Sequence, residues 1–153
     1  MAITALPVTD DAPALDPLKD LGRLVIITRN QLTAKLDDVL APLDLTTAQY
    51  GVVIVLSRGQ WDAPAQLCQL MDYDRGAMTR LLDRMVSKGL IVRLPNEKDR
   101  RCVTLKLTEK SLALLPKLEA TVSAVYQTAL SDFSEAEAAL LAGFLNRMIG
   151  NLG

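Results

Sequence analysis

The sequence contains no histidine and only two cysteines, Cys68 and Cys102. Two thiols without an imidazole cannot close a four-ligand zinc site. The missing histidine also removes the usual general base and the Ser/His and Cys/His pairs of nucleophilic catalysis. No carboxylate pair stands out to replace them, so the chain reads as a non-enzyme that needs neither metal nor cofactor. Aromatic residues are scarce at 4%, against 50% hydrophobic residues in all. The core must therefore be built from Leu, Val, Ala and Met, a composition that suits helices. Long apolar runs are lacking too, so no segment is expected to span a bilayer. The opening stretch MAITALPVTDDAPALDP has no basic region and carries acids and prolines, unlike a secretory signal. Residues 1–14 are expected to form a flexible arm, and a cytoplasmic location without a membrane partner is expected.

What is present is an uneven distribution of charge. The 153 residues carry 17 basic and 18 acidic side chains, a net of −1. Residues 63–110 hold ten Lys/Arg against six Asp/Glu, a net of +4, which leaves the remainder at −5. A basic segment inside an acidic chain points to a polyanion partner for that segment alone. The competing explanation is chance clustering on a solvated face.

Helical spacing runs from Leu15 to Leu40, with Leu18, Leu21, Leu32, Leu36, Val39 and Leu40 on the apolar positions. Asp16 is a good N-cap, Pro17 fits the first helical position, and Pro42 ends the run. The stretch LVII at 24–27 makes this helix apolar around much of its girth, which suggests two buried faces and a subunit interface. In LDLTTAQYGVVIVLSRG, Thr46 or Thr47 caps, Gln49 can close a capping box, and Gly59 stops the helix. Tyr50, Val53, Ile54 and Leu56 are its expected apolar stripe. A short helix from Ala63 to Met71 follows, with Leu67, Leu70 and Met71 expected inward. After the turn MDYD, Asp74 caps a longer helix that closes at Gly89. Short helix, tight turn and longer helix are the order of a helix-turn-helix.

In that longer helix Met78, Leu81, Leu82 and Met85 recur at i, i+3, i+4 and i+7 and form one buried stripe. Gly76, Thr79, Arg80, Asp83, Arg84 and Ser87 fall on the opposite side, with Arg75 at its edge. The second helix of a helix-turn-helix puts its N-terminal end into the major groove, where Arg can bond a guanine edge or hold a phosphate. An ordinary amphipathic helix would carry the same pattern. Directly after it, LIVRL and CVTLKLT flank PNEKDRR, a two-stranded hairpin opened by Pro95-Asn96. Val103, Leu105 and Leu107 are expected to alternate against Thr104 and Lys106. Basic residues on such a projecting wing are placed to enter a minor groove, and Asp99 is expected to pair with a neighbouring Arg. The last third is helical, capped at Thr108, with Pro116 inside. Ser131, Asp132 or Ser134 starts a final helix whose Leu140, Leu141, Phe144, Leu145, Met148 and Ile149 need a partner surface.

The motif DRRCVTLKLTEK resembles the wing signature of the MarR family of winged helix-turn-helix transcription regulators: Asp, any residue, Arg, then a strand ending Leu-Thr. Asp99 and Arg101 fill the pair, and Leu107-Thr108 end the strand. APLDLTTAQY is similar to the start of that family's second helix, and MTRLLDRMVSKGLIVR resembles its recognition helix running into the wing. The resemblance spans residues 15–150 or so. It implies a mainly α fold: a winged helix-turn-helix lobe with a small β-hairpin wing, plus N- and C-terminal helices that form a dimerisation region. The corresponding divisions are a dimerisation helix at 15–41, a DNA-binding lobe at 42–108 and C-terminal dimerisation helices at 109–150.

The same resemblance implies a homodimer on a palindromic double-stranded operator. Most such proteins are repressors, and many are released by a small aromatic or phenolic effector. It would set Arg75, Gly76, Thr79 and Arg80 toward bases, Arg84 toward a phosphate, and Arg101 with Arg100 into the minor groove. Lys98 and Asp99 complete the wing. The effector region would take in Arg29, Asn30 and Tyr50. One branch of the family senses peroxide through a cysteine in its first helix; here that helix has none, and Cys68 and Cys102 do not match the pattern. Thiol sensing and a winged-helix protein-interaction module are the alternative readings.

Overall fold

A computed structural model describes residues 16–96, 99 and 102–153. Asp16 starts the first helix, α1 (Pro17–Leu40), by accepting from the Leu18 N–H at 3.0 Å. A 3-10 turn, Ala41–Leu43, contains Pro42 and ends on Asp44 in the left-handed region. The chain then bends by 80° into α2 (Thr47–Ser57). Thr46 is the cap of α2 and Gln49 closes its capping box. The bend is also braced from α1: the Asp37 carboxylate accepts from the Thr47 N–H at 2.7 Å and from its hydroxyl at 2.8 Å. Gly59 follows α2 with φ +67°, a conformation that costs a residue with a Cβ.

The helix-turn-helix comprises α3 (Pro64–Met71) and α4 (Arg75–Ser87). Strands β1 (Ile91–Pro95) and β2 (Val103–Leu107) pair antiparallel, with Ile91 opposite Leu107 and Pro95 opposite Val103. Thr108 caps α5 (Glu109–Ala129) by accepting from the Ser111 N–H, and Pro116 sits inside that helix. Ser134, in a capping box with Glu137, starts α6 (Glu135–Leu152).

One core holds these elements together. It joins Leu36 and Leu40 of α1, Val52 and Val53 of α2, Leu67 of α3, all four expected residues of α4, Ile91, Leu105, and Leu118 with Val122 of α5. The core therefore draws side chains from both sides of residues 41 and 108. Three expectations change. In α3, Leu70 is 53% exposed, because Leu67 and Met71 define the inner edge and Cys68 packs beside them instead. In α2, Val52 and Gln49 are buried while Tyr50, Ile54 and Leu56 are only half-buried. This helix packs on α1, α4, α5 and β2, so no single stripe describes it. In β2, Thr104 is buried and Val103 is exposed. The Thr104 hydroxyl accepts from the Asn96 amide at 3.0 Å, and the Leu105 N–H donates to the Asp62 carbonyl at 2.7 Å.

Two apolar faces remain open. Leu18 and Ile26 on α1 are exposed, and no residue of α6 is buried although Leu140, Phe144, Leu145 and Ile149 lie along it. Among the described residues, no single helix is long and apolar enough to cross a membrane.

The burial pattern of α4 separates two neighbouring positions sharply. Met85→Ala should lower unfolding free energy by about 2–5 kcal/mol through the cavity it leaves. Arg84→Ala, on the solvent side, should change it by no more than about 0.5 kcal/mol. Urea titrations at one fixed protein concentration measure both. Equal midpoints for the two variants would contradict the packing described.

Candidate nucleic-acid interface

The outward face of α4 begins at its cap. Asp74 accepts from the Ala77 N–H at 2.8 Å, one of the donors a helix start leaves unpaired. Gly76 fits tightly there: a Cβ would lie 3.2 Å from the Asp74 carboxylate and 3.4 Å from the Arg80 guanidinium. Arg75, Thr79, Arg80 and Arg84 are all exposed with it. Among the described residues, Arg75, Arg80 and Arg84 enter no ion pair, so their five-donor forks remain open to an anion. Thr79 is exposed, but its hydroxyl proton is already used within the helix. Its hydroxyl donates to the Arg75 carbonyl at 2.8 Å, which leaves a methyl group and an acceptor facing out.

Asp83, on the same face, would repel a polyanion if left alone. Arg93 of β1 pairs with it at 2.7 Å. This bond neutralises the carboxylate and ties the base of the hairpin to α4. Sequence reasoning missed Arg93, because strand register determines which residue reaches back to the helix.

The hairpin loop closes on Asn96 and Asp99. The Asn96 N–H donates to the Cys102 carbonyl at 2.9 Å, and its side-chain oxygen accepts from the Asp99 N–H at 3.2 Å. The Cys102 N–H donates in turn to the Asp99 carbonyl at 2.9 Å. Asn96 thus organises the tip by bonding Thr104 of β2, Cys102 before it and Asp99 of the loop. Lys98, Arg100 and Arg101 lie outside the described residues, as does the expected pairing of Asp99 with one of those arginines. The negative charge of Asp99 pushes the Cys102 thiol above its ordinary pKa, and the thiol's own bond to that carboxylate, at 3.6 Å, adds to the effect.

A second feature lies behind this surface. A cleft of about 340 Å³ opens between α2 and α5, lined by Tyr50, Ile54, Arg58, Glu119, Val122 and Tyr126 among others. Burial raises the Tyr50 phenol above its usual pKa; Tyr126 and Glu119 push the same way and Arg58 opposes them. Of the three effector residues expected from sequence, Tyr50 lines the cleft. Arg29 and Asn30 stand on the exposed face of α1, outside it. Arg58, Glu119 and Tyr126 had no signal in the sequence, since α2 and α5 are brought together only by folding. Among the described residues, no three His, Cys, Asp or Glu side chains converge as metal ligands.

The Asp99 effect gives a chemical test of the tip geometry. The raised Cys102 pKa lowers the share of thiolate, the reactive form. Asp99→Asn should lower the pKa and speed alkylation of Cys102 by iodoacetamide at pH 8, with the rate read by mass spectrometry of the Cys102 peptide. An unchanged or slower rate would remove the carboxylate from beside the sulfur.

Comparisons with known proteins agree with this architecture. A family model described as the MarR family matches residues 43–101. The multiple antibiotic resistance protein MarR of Escherichia coli is 33% identical over 130 residues, covering 84% of this chain and 90% of that protein. A solved structure of an Escherichia coli MarR cysteine-to-serine mutant complexed with operator DNA superimposes with a TM-score of 0.78 at 32% identity, covering 90% of this chain and 99% of that one. A MarR transcriptional regulator from Methanosarcina mazei Go1 shares the fold at 22% identity, with a TM-score of 0.78 and coverage of 86% and 94%. With its helix-turn-helix, hairpin wing and long flanking helices in this order, the chain belongs to the MarR family of winged-helix transcription regulators.

Proposed function

We propose that the protein is a homodimeric repressor that grips a palindromic operator and lets go when a small aromatic or phenolic molecule binds. The observation that carries this reading is the row of three arginines on α4, Arg75, Arg80 and Arg84, without ion-pair partners among the described residues, on a face whose Asp83 is paired with Arg93. Charges of one sign left unpaired along a helix face suit a polyanion. Arg75, Gly76, Thr79 and Arg80 face base edges in this reading, with the Thr79 methyl suited to a thymine methyl. Arg84 takes a phosphate. Lys98, Asp99, Arg100 and Arg101 form the wing tip that enters the minor groove.

Residues 15–41 and 109–150 supply the pairing surface and 42–108 the reading lobe. Two open apolar helix faces support this division, since soluble monomers rarely leave such extended patches in water. A two-fold pair buries them against each other. The effector reading rests on the α2–α5 cleft, whose volume lies within the usual range for small-molecule sites. Tyr50 and Tyr126 offer aromatic faces there, and Arg58 offers a cation for a carboxylate. At Cys102 thiol control finds less support, because Asp99 pushes that thiol above its ordinary pKa.

Fluorescence anisotropy with the duplex upstream of the protein's own gene tests the DNA reading. Arg80→Ala should weaken operator binding by about 1–3 kcal/mol per arginine and relax the base preference, whereas Arg84→Ala should flatten the log–log salt slope by about two, one phosphate contact per protomer. Thermal stability should barely move. Operator affinity and salt slope equal to the parent's would take α4 out of the interface. For the pairing surface, Ile149→Asp should shift sedimentation equilibrium from dimer to monomer. A hydroxybenzoate should release the operator from the parent, and Arg58→Ala should abolish that release without weakening DNA binding; release that survives would move the effector elsewhere.

A further inference from the structure

The turn that follows α4 is clamped from both long helices. Its three successive carbonyls, those of Lys88, Gly89 and Leu90, all accept from the start of α5. The Lys110 ammonium donates to the Lys88 carbonyl at 2.8 Å, the Thr108 hydroxyl to Gly89 at 2.7 Å, and the Ser111 hydroxyl to Leu90 at 2.6 Å. The Ser111 bond is fully buried. The Lys88 carbonyl, at the C-cap of α4, and the Gly89 and Leu90 carbonyls of the turn after it all find donors at the start of α5. From the opposite side, the Lys88 ammonium donates to the carbonyl of Asp44 at 2.5 Å and to its carboxylate at 2.9 Å. Asp44 sits in the turn between α1 and α2, which Asp37 braces. α1 and α5 also pack against each other. The C-terminal end of α4 is therefore held in register with a two-helix frame, while its N-terminal end projects.

We propose that Lys88 and Ser111 are positioning residues that fix the separation between the two α4 helices of a bound pair, and so determine which half-site spacing the protein accepts. The inference rests on the paired, DNA-binding reading above. A pair joined through α1 and α6 transmits its geometry to α4 only through whatever joins α4 to the long helices. The bonds of Lys88, Thr108, Lys110 and Ser111 form that joint on its polar side. Adding one base pair between half-sites moves them apart along the axis and also rotates one about it, since B-DNA repeats every 10–10.5 base pairs or about 34–36 Å. A stiff joint cannot follow both changes. Neither side chain reaches the outward face of α4, so a loosened joint leaves the reading residues intact. Lys88 and Asp44 form a surface pair, which contributes little to stability, and in Ser111→Ala the Leu90 carbonyl still accepts from the Thr108 N–H at 3.1 Å.

The test uses the full chain. A palindrome is selected from a random duplex pool with the parent protein, and duplexes are then made with one base pair added to or removed from its centre. Affinities are measured for the parent, Lys88→Met, Ser111→Ala, the double variant, and Lys88→Arg. The parent should prefer its selected spacing by about tenfold or more, the scale of a single mismatched position. In the double variant that ratio should fall below about threefold, with each single variant between and Lys88→Arg near the parent. A variant that had merely lost fold or charge would weaken on every duplex and keep the ratio. An unchanged ratio in the double variant, or a parent indifferent to spacing, overturns the proposal. Failure to select any duplex would instead overturn the DNA-binding reading itself.

Discussion

Burial of Met78, Leu81, Leu82 and Met85 is the constraint from which the rest follows. These four side chains are almost wholly removed from water, and together they allow α4 only one rotation about its axis. Once that rotation is set, the arginines have no choice of direction: Arg80 and Arg84 must face solvent. Hydrophobic packing thus aims charges it never touches. The outward face of α4 is chemically simple because the inward face is strict.

Electrostatics then acts on a small part of a chain whose net charge is −1. Among the acids on or beside the proposed DNA face, Asp83 and Asp74 are each handled locally. Asp83 is answered by Arg93. Asp74 turns its carboxylate to the N-terminal amides of α4, where the helix dipole favours a negative charge. The acidic remainder of the chain lies apart in sequence from the residues of the proposed DNA face.

Much of this was legible before folding was considered. The α4 stripe, the caps at Asp16, Asp74 and Thr108, and the glycine stops at Gly59 and Gly89 are local features, each decided within a turn or two of chain. Where the sequence offered more than one cap, three-dimensional hydrogen bonding chose Thr46 and Ser134. Misreadings arose where an element is surrounded rather than lying on a surface. α2 packs on four neighbours, so its stripe of Tyr50, Val53, Ile54 and Leu56 was too narrow. Leu70 looked buried because α3 is only two turns long, too short for periodicity to tell its rim from its centre. Arg93, Asn96 and Lys88 were invisible as organisers for one shared reason. Each acts through a partner on another element or across the hairpin, at a distance that strand register or tertiary packing decides.

The Asp83–Arg93 bond also bears on how such a protein could change its target. Wing and helix are riveted at the base, while Arg75, Thr79 and Arg80 project freely from a scaffold that does not depend on them. If those side chains read bases as proposed, a protein engineer, or evolution after gene duplication, can exchange them one by one to address new DNA words. Asp83 is the member of that face that should be left in place, because altering it would disturb the reader's frame along with its vocabulary.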